Sequence, residues 1–109
     1  MKIVIAGSRN IDNFDLSQHI PSNVDLIITG GASGIDNLAE KYADKHKISK
    51  LIILPDYKRY GRAAPLRRNE IMVDLSDLVI VVWDGVSRGT KYTIDYATKK
   101  GKNLKIVTL

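Results

Sequence analysis

Four short segments combine glycine, hydroxyl and arginine residues in the way that anion-binding loops do. They are Gly7-Ser8-Arg9-Asn10, residues 29–36 (TGGASGID), the basic stretch Asp56–Glu70 and residues 83–90 (WDGVSRGT). Glycine lets a backbone approach an anion closely, and the free N–H groups at a helix N-terminus point at it. The four segments therefore indicate phosphate as a chemical group that this chain can hold.

Two of these segments place glycine directly ahead of a predicted helix. Gly30, Gly31 and Gly34 form a loop that matches neither a Walker A motif nor G-x-G-x-x-G, so it can be a phosphate loop or only a tight connection. Residues 87–90 repeat the arrangement, although Thr90 can also serve as the N-cap of the last helix. Because the two loops are alike, phosphate binding is favoured over two tight turns.

Charged side chains in the same segments add candidates for ligand contact. Arg9 and Arg68 can each make bidentate hydrogen bonds to phosphate, although Arg68 can instead pair with a carboxylate at the surface. Asp36 can accept a hydrogen bond from a ribose hydroxyl, or it can be a first-turn acid that stabilises the helix dipole. Tyr57, Tyr60 and Trp83 lie where a base can stack on them, although Trp83 can instead belong to the core.

Composition and charge narrow the class of protein. The 109 residues suit one domain, and 44% hydrophobic residues suffice for one core. The formal net charge of +5 favours polyanionic partners, with a lysine-rich solvated surface as the alternative. The charge is concentrated, because Asp56–Glu70 holds five cations and two anions, a net +3.

Several site classes and locations are disfavoured by what the chain lacks. Without cysteine there is neither a disulfide nor a thiolate metal site, which fits a reducing compartment. His19 and His46 lie on predicted helix surfaces and are given no role, so neither a metal nor a cofactor is predicted. The apolar run at residues 3–6 is too short for a signal peptide, and no run approaches the roughly 18 apolar residues of a membrane span. We expect a cytoplasmic protein without a membrane partner.

Five apolar runs, centred near residues 4, 27, 52, 80 and 106, recur at steps of about 23 to 28 residues. Continuous apolar runs are typical of strands buried on both faces, and the step fits a repeating βα unit. Helices are predicted over residues 35–47, from near Pro65 to Leu75 and from about Thr90 to Lys100, with a short first crossover. The prediction is one domain, residues 1–109, with a Rossmann-like α/β/α fold and five parallel strands in the order 3-2-1-4-5.

Ligands of open parallel sheets bind beyond the carboxyl ends of the strands. Each of the four segments follows a predicted strand, so all four are expected to meet at one edge of the sheet. The predicted ligand-binding residues are Gly7, Ser8, Arg9, Gly30, Gly31, Ala32, Ser33, Gly34, Asp36, Arg68, Asn69, Ser87, Arg88, Gly89 and Thr90.

In order and spacing, these segments resemble the SLOG superfamily, and in particular its small stand-alone YspA/YpsA-related branch. The matching pieces are residues 7–9, residues 30–36 with Leu38-Ala39, residues 60–65 with residues 68–70 and Met72, and residues 87–90. The relatives of this branch include the LOG phosphoribohydrolases and the DprA/Smf DNA-processing proteins. The resemblance implies a Rossmann-like fold with a nucleotide-type ligand over the glycine loops, and often a homo-oligomer.

The chain departs from the LOG pattern at one position. LOG enzymes continue the last motif as Gly-Thr-x-x-Glu, and their glutamate helps to cleave an N-glycosidic bond, whereas this chain has Thr93 there. A hydroxyl of normal acidity cannot replace that carboxylate. Of the carboxylates elsewhere, Asp36, Glu70 and Asp95 are the candidates for a substitute.

Three functions are therefore open. The favoured one is binding or sensing of a nucleotide or nucleotide-derived phosphate ligand such as ADP-ribose or NAD, without an assigned catalytic residue. The alternatives are a LOG-like nucleotide N-glycosidic hydrolase and DprA-like binding of single-stranded nucleic acid, which draws on the positive charge and on Tyr57 and Tyr60.

Overall fold

Five parallel strands form a single sheet in the computed structural model, which describes all 109 residues. The strands are β1 (Lys2–Gly7), β2 (Leu26–Thr29), β3 (Ser49–Ile52), β4 (Leu78–Trp83) and β5 (Asn103–Thr108). Their order is β3-β2-β1-β4-β5, and every neighbouring pair is parallel. The predicted fold class and strand order are confirmed.

Helices cover both faces of the sheet. The helices are α1 (Ile35–Lys45), the short α2 (Tyr57–Tyr60), α3 (Ala64–Leu75) and α4 (Arg88–Lys99). On one face, α1 and a 3₁₀ turn at Leu16–Gln18 pack on Ile3, Ile5 and Ile27, and on the other face α3 and α4 pack on Val4, Ile28 and Val79. Alternate residues of β1 thus enter opposite cores, as a pleated strand requires.

Some element positions differ from the sequence expectation. β3 lies two residues earlier than its apolar run, because residues 49–52 pair with residues 26–29 of β2, and Leu54 at the end of the run is 67% exposed. β3 and β5 are the sheet edges and are largely exposed, so the expectation of burial on both faces is wrong for them. The first crossover contains only the 3₁₀ turn. No helix has the length and apolar character that crossing a membrane requires.

The start of α4 also differs. The helix begins at Arg88 with Ser87 as its N-cap, so the alternative that made Thr90 the N-cap is wrong. The reason lies in Asp84, whose carboxylate accepts hydrogen bonds from the N–H groups of Val86 (2.9 Å) and Ser87 (2.8 Å). This turn directs the chain into the helix two residues earlier than the pattern indicates.

Candidate functional site

A cavity of about 480 Å³, the larger of two that adjoin each other, opens at the carboxyl ends of β1 and β4. This is where the strand order reverses, the usual position of ligand sites in open α/β sheets. Ten of the predicted residues line it: Gly7, Arg9, Ala32, Asp36, Arg68, Asn69, Ser87, Arg88, Gly89 and Thr90. The sequence analysis did not select Ala6, Asn10, Pro65, Leu66, Met72, Asp84 or Thr93 as ligand-binding residues, and they line it as well.

A second cavity of about 210 Å³ adjoins the first one and shares Arg9, Ala32 and Arg68 with it. It brings in the predicted residues Gly30, Gly31 and Ser33, together with Leu54 and Pro55. Of the predicted set, only Ser8 and Gly34 line neither cavity. The two spaces together form one cleft that runs across the edge of β1, β2 and β4.

The N-terminus of α4 is open to the larger cavity. The N–H groups of Arg88, Gly89 and Thr90 donate no hydrogen bond within the protein. Ser87 does not cap them, since its hydroxyl donates to the carboxylate of Asp84 at 3.0 Å, and the first turn contains no acid. These groups are therefore free donors at the positive end of the helix dipole.

Gly89 has no structural requirement for glycine. A Cβ atom built at this position meets nothing within 4 Å, and its backbone does not have the positive φ that favours glycine. Glycine in a helix costs roughly 1 kcal/mol relative to alanine. The absence of a side chain at this position leaves room for a ligand to reach the backbone.

The first glycine loop is different, because packing explains its glycines. A Cβ at Gly34 would lie 2.5 Å from the carbonyl oxygens of Ser8 and Arg9, and one at Gly30 would lie 2.4 Å from Nη1 of Arg68. The Ser8 carbonyl also accepts the N–H of Ile35 at 3.4 Å. The N-terminus of α1 is thus partly covered by the loop after β1, and this loop is first of all a tight connection.

Ser8 joins the loops rather than facing the cleft. It is buried, and its hydroxyl accepts the N–H of Asp84 at 3.0 Å. The carboxylate of Asp84 in turn holds the loop before α4 through the N–H groups of Val86 and Ser87. These two hydrogen bonds lower the pKa of the Asp84 carboxyl to about 2. The sequence signal for the role of Asp84 is the run Asp84-Gly85-Val86-Ser87, which is typical of a turn stabilised by an aspartate side chain.

Arg68 is buried under the first glycine loop, with 6% of its surface exposed. Its Nη1 donates to the carbonyl oxygens of Gly30 and Ile53, and its Nε donates to Oδ1 of Asn69 at 2.8 Å. It forms no ion pair, so the alternative of a surface pair with a carboxylate is wrong. Arg68 ties the ends of β2 and β3 to α3 and also lines both cavities.

Asp36 lies on the cleft wall with 6% of its surface exposed. Its Oδ2 accepts the N–H of Ala32 at 3.1 Å. Burial raises the pKa of this carboxyl, and the Ala32 N–H and the charge of Arg68 offset part of the effect. The Thr29 hydroxyl and the Gly30 N–H lie close enough to lower the pKa of Asp36 further, but neither forms a hydrogen bond of normal geometry with its carboxyl.

The other candidate side chains lie outside both cavities. Glu70 pairs with Arg67 and accepts a hydrogen bond from Tyr92, and Asp95 pairs with Lys91 on the exposed face of α4. Tyr57 and Tyr60 are on α2 and line neither cavity. Trp83 donates its indole N–H to the Ser87 carbonyl at 3.0 Å. Of the two histidines, which have no predicted role, His19 stacks on Phe14, and the ring of His46 is tilted by 33° against that of Tyr42.

The cleft has an excess of positive charge. Arg9 and Arg88 are exposed on its rim and form no ion pair, while Arg68 lies at its base. Against these three cations stand Asp36 and Asp84, and the oxygens of Asp84 are occupied by the loop.

In comparisons of the chain with protein-family models, curated proteins and solved structures, no significant match was found.

Proposed function

We propose that the chain binds a nucleotide or a nucleotide-derived phosphate ligand, such as ADP-ribose or NAD, with a phosphate at the N-terminus of α4. The observation that carries this proposal is the open first turn of α4. Three free N–H groups line the cavity there, beside a glycine that packing does not require. Oriented N–H groups at a helix N-terminus are a general phosphate site.

The charge and size of the cleft support a ligand larger than inorganic phosphate. Arg9 and Arg88 are free to neutralise phosphate, and arginine can do so with two parallel hydrogen bonds. The main cavity of about 480 Å³ is within the usual range for small-molecule sites, roughly 300–1,000 Å³. The adjoining space of about 210 Å³ gives an extended ligand a second compartment.

The test is a thermal-shift screen with AMP, ADP-ribose, NAD and inorganic phosphate, followed by titration of the best ligand. A ligand that binds only the native state raises Tm with its concentration. Gly89→Ala is expected to remove most of this shift while the ligand-free Tm stays equal or rises, because alanine favours the helix. Arg88→Ala is expected to weaken binding, whereas Lys99→Ala removes the same charge at the other end of α4 and serves as the control.

A Gly89→Ala variant that binds as well as the parent would contradict the proposed phosphate position. A screen in which no phosphate compound shifts Tm would contradict the proposed function.

Nucleotide N-glycosidic hydrolysis is the second candidate, and Asp36 is the observation in its favour. Of the three carboxylates that could replace the missing glutamate, only Asp36 lines the cavity. We nevertheless favour binding, because Thr93 is neutral and its hydroxyl is engaged with the Gly89 carbonyl at 3.2 Å. Binding that is equal in the ground and transition states does not accelerate a reaction.

Incubation with AMP and chromatography of the released base separates these two functions. We expect AMP to bind without steady release of adenine. Turnover that disappears in Asp36→Asn but persists in Asp95→Asn would establish the hydrolase instead. Hydrolysis gained by Thr93→Glu would show that the rest of such a site is already in place.

A further inference from the structure

The carboxyl of Asp36 is an incompletely satisfied acid on the wall of the main cavity. It is 6% exposed, and its one hydrogen bond within normal distance is from the Ala32 N–H to Oδ2. No cation lies within ion-pair distance, although three arginines line the same cavity. A buried carboxyl without enough donors is costly, so its Oδ1 is a strong site for a donor from outside the chain.

The surroundings decide which donor fits. A cationic ligand group would be repelled by Arg9, Arg68 and Arg88, so a neutral donor is favoured. Asp36 is on α1 and Thr90 is on α4, and these helices cover opposite faces of the sheet. A ligand held by phosphate at α4 therefore has to reach across the cleft to contact Asp36.

We propose that Asp36 accepts a hydrogen bond from a sugar hydroxyl of the ligand, and that the site thereby selects ribonucleotides over deoxyribonucleotides. This inference rests on the proposed function, because it takes the phosphate position at α4 as given. The sugar hydroxyls are the neutral donors that lie between the phosphate and the base. An oxygen of Asp36 can accept from them in either protonation state of the carboxyl.

The experiment compares the affinities of AMP, 2′-deoxy-AMP and 3′-deoxy-AMP by calorimetry, with inorganic phosphate as the reference anion. In the parent chain we expect at least one deoxynucleotide to bind about tenfold to a hundredfold more weakly than AMP, the range for a lost hydrogen bond to a charged group. In Asp36→Ala, which removes the acceptor oxygens, this ratio is expected to fall towards one. Asp95→Ala, which removes an exposed carboxylate of α4 outside the cavity, is expected to keep it.

Each outcome has a separate meaning. If all three nucleotides bind the parent chain equally, the inference is wrong and the proposed function stands. If the ratio persists in Asp36→Ala, another group recognises the sugar and the inference is also wrong. If neither nucleotides nor phosphate bind, the proposed function itself fails. Since the comparison in the parent chain needs no variant, it remains decisive even if Asp36→Ala does not fold.

Discussion

Individual residues of one type have different tasks in this cleft. Gly30 and Gly34 are glycines because Arg68 and two backbone carbonyls occupy the space of a side chain. Gly89 faces no such neighbour. The same distinction applies to arginine, because Arg68 is engaged with the backbone whereas Arg9 and Arg88 have no ion-pair partner. Residue type alone therefore does not separate a structural position from a ligand contact.

Arg68→Ala is expected to destabilise the fold, because it leaves the carbonyls of Gly30 and Ile53 and the amide of Asn69 without their donor. Buried polar groups without partners cost about 1–3 kcal/mol, and we expect the free energy of unfolding to fall by that amount. Urea denaturation measures it. The neighbouring variant Arg67→Ala, which removes a half-exposed pair with Glu70, is the control and should change little. An unchanged midpoint for Arg68→Ala would show that these hydrogen bonds do not stabilise the fold.

Asp36→Asn is expected to stabilise the ligand-free protein at neutral pH. The folded-state pKa of Asp36 is raised above 3.8 by burial, so the native state holds this proton more tightly than the unfolded chain does. The contribution of this bound proton to the free energy of unfolding is complete below pH 3.8. It is lost as the pH rises through the folded-state pKa of Asp36. A difference of one in pKa between the folded and unfolded states corresponds to about 1.4 kcal/mol in the free energy of unfolding.

Urea denaturation at several pH values, from 3.8 up to neutrality, measures the difference in the free energy of unfolding between the parent and Asp36→Asn. The advantage of the variant should shrink as the pH falls. A variant that is less stable than the parent at pH 7 would mean that the hydrogen bond to Ala32 outweighs the cost of burial.

At the scale of elements, the loop before α4 positions the proposed phosphate site. Asp84 holds the N–H groups of Val86 and Ser87 and the Ser87 hydroxyl, so that the first turn of α4 is left open. Ser8 links this loop to the end of β1 through the N–H of Asp84. The geometry of the site therefore depends on contacts between segments that are 76 positions apart in the chain.

Asp84→Ala is expected to weaken AMP binding strongly and to lower Tm only slightly. The reason is that the loop loses the hydrogen bonds that shape the start of α4. The pKa of Asp84 is lowered to about 2, so its ionised form stabilises the native state above pH 3.8 and this contribution is lost as the pH falls through about 2. Titration calorimetry and thermal melts measure the two effects. Asp77→Ala is the matched control, since Asp77 binds the Lys2 N–H at the opposite end of the sheet. Equal losses of affinity in both variants would contradict the role of the loop.

At the scale of the whole molecule, α3 has more apolar residues than its buried face uses. Met72 and Val73 enter the core with α4, whereas Ile71 and Leu75 are 42% and 41% exposed. We propose that this surface of α3 joins copies of the chain in a homo-oligomer. Light scattering is expected to give a mass above the 12.1 kDa of one chain, and Ile71→Lys is expected to lower it.

Leu109→Lys, at an exposed position of the chain terminus, serves as the control for added charge and should leave the mass unchanged. A parent mass near 12.1 kDa at high concentration would rule out the oligomer.

The fold could be predicted because its signals are short runs of residues that are adjacent in the sequence. Five apolar runs at βα spacing led to the correct sheet, order and helix faces, because burial and right-handed crossovers permit few topologies. Ends of elements were less predictable. The position of β3 depends on its pairing with β2, and the start of α4 depends on the hydrogen bonds of Asp84. These contacts override the apolar and helical patterns.

For the site, the order of strands and loops along the sequence was enough to predict which loops meet at the edge of the sheet, since the loops after parallel strands must lie together. The task of each residue there became clear only from the folded structure. Arg68 and Asp36 look like exposed ligand contacts in the sequence, yet one is buried on carbonyl groups and the other is buried with a single hydrogen bond within normal distance. Burial and hydrogen-bond partners come from residues far apart in the chain, and no local pattern of residue types contains them.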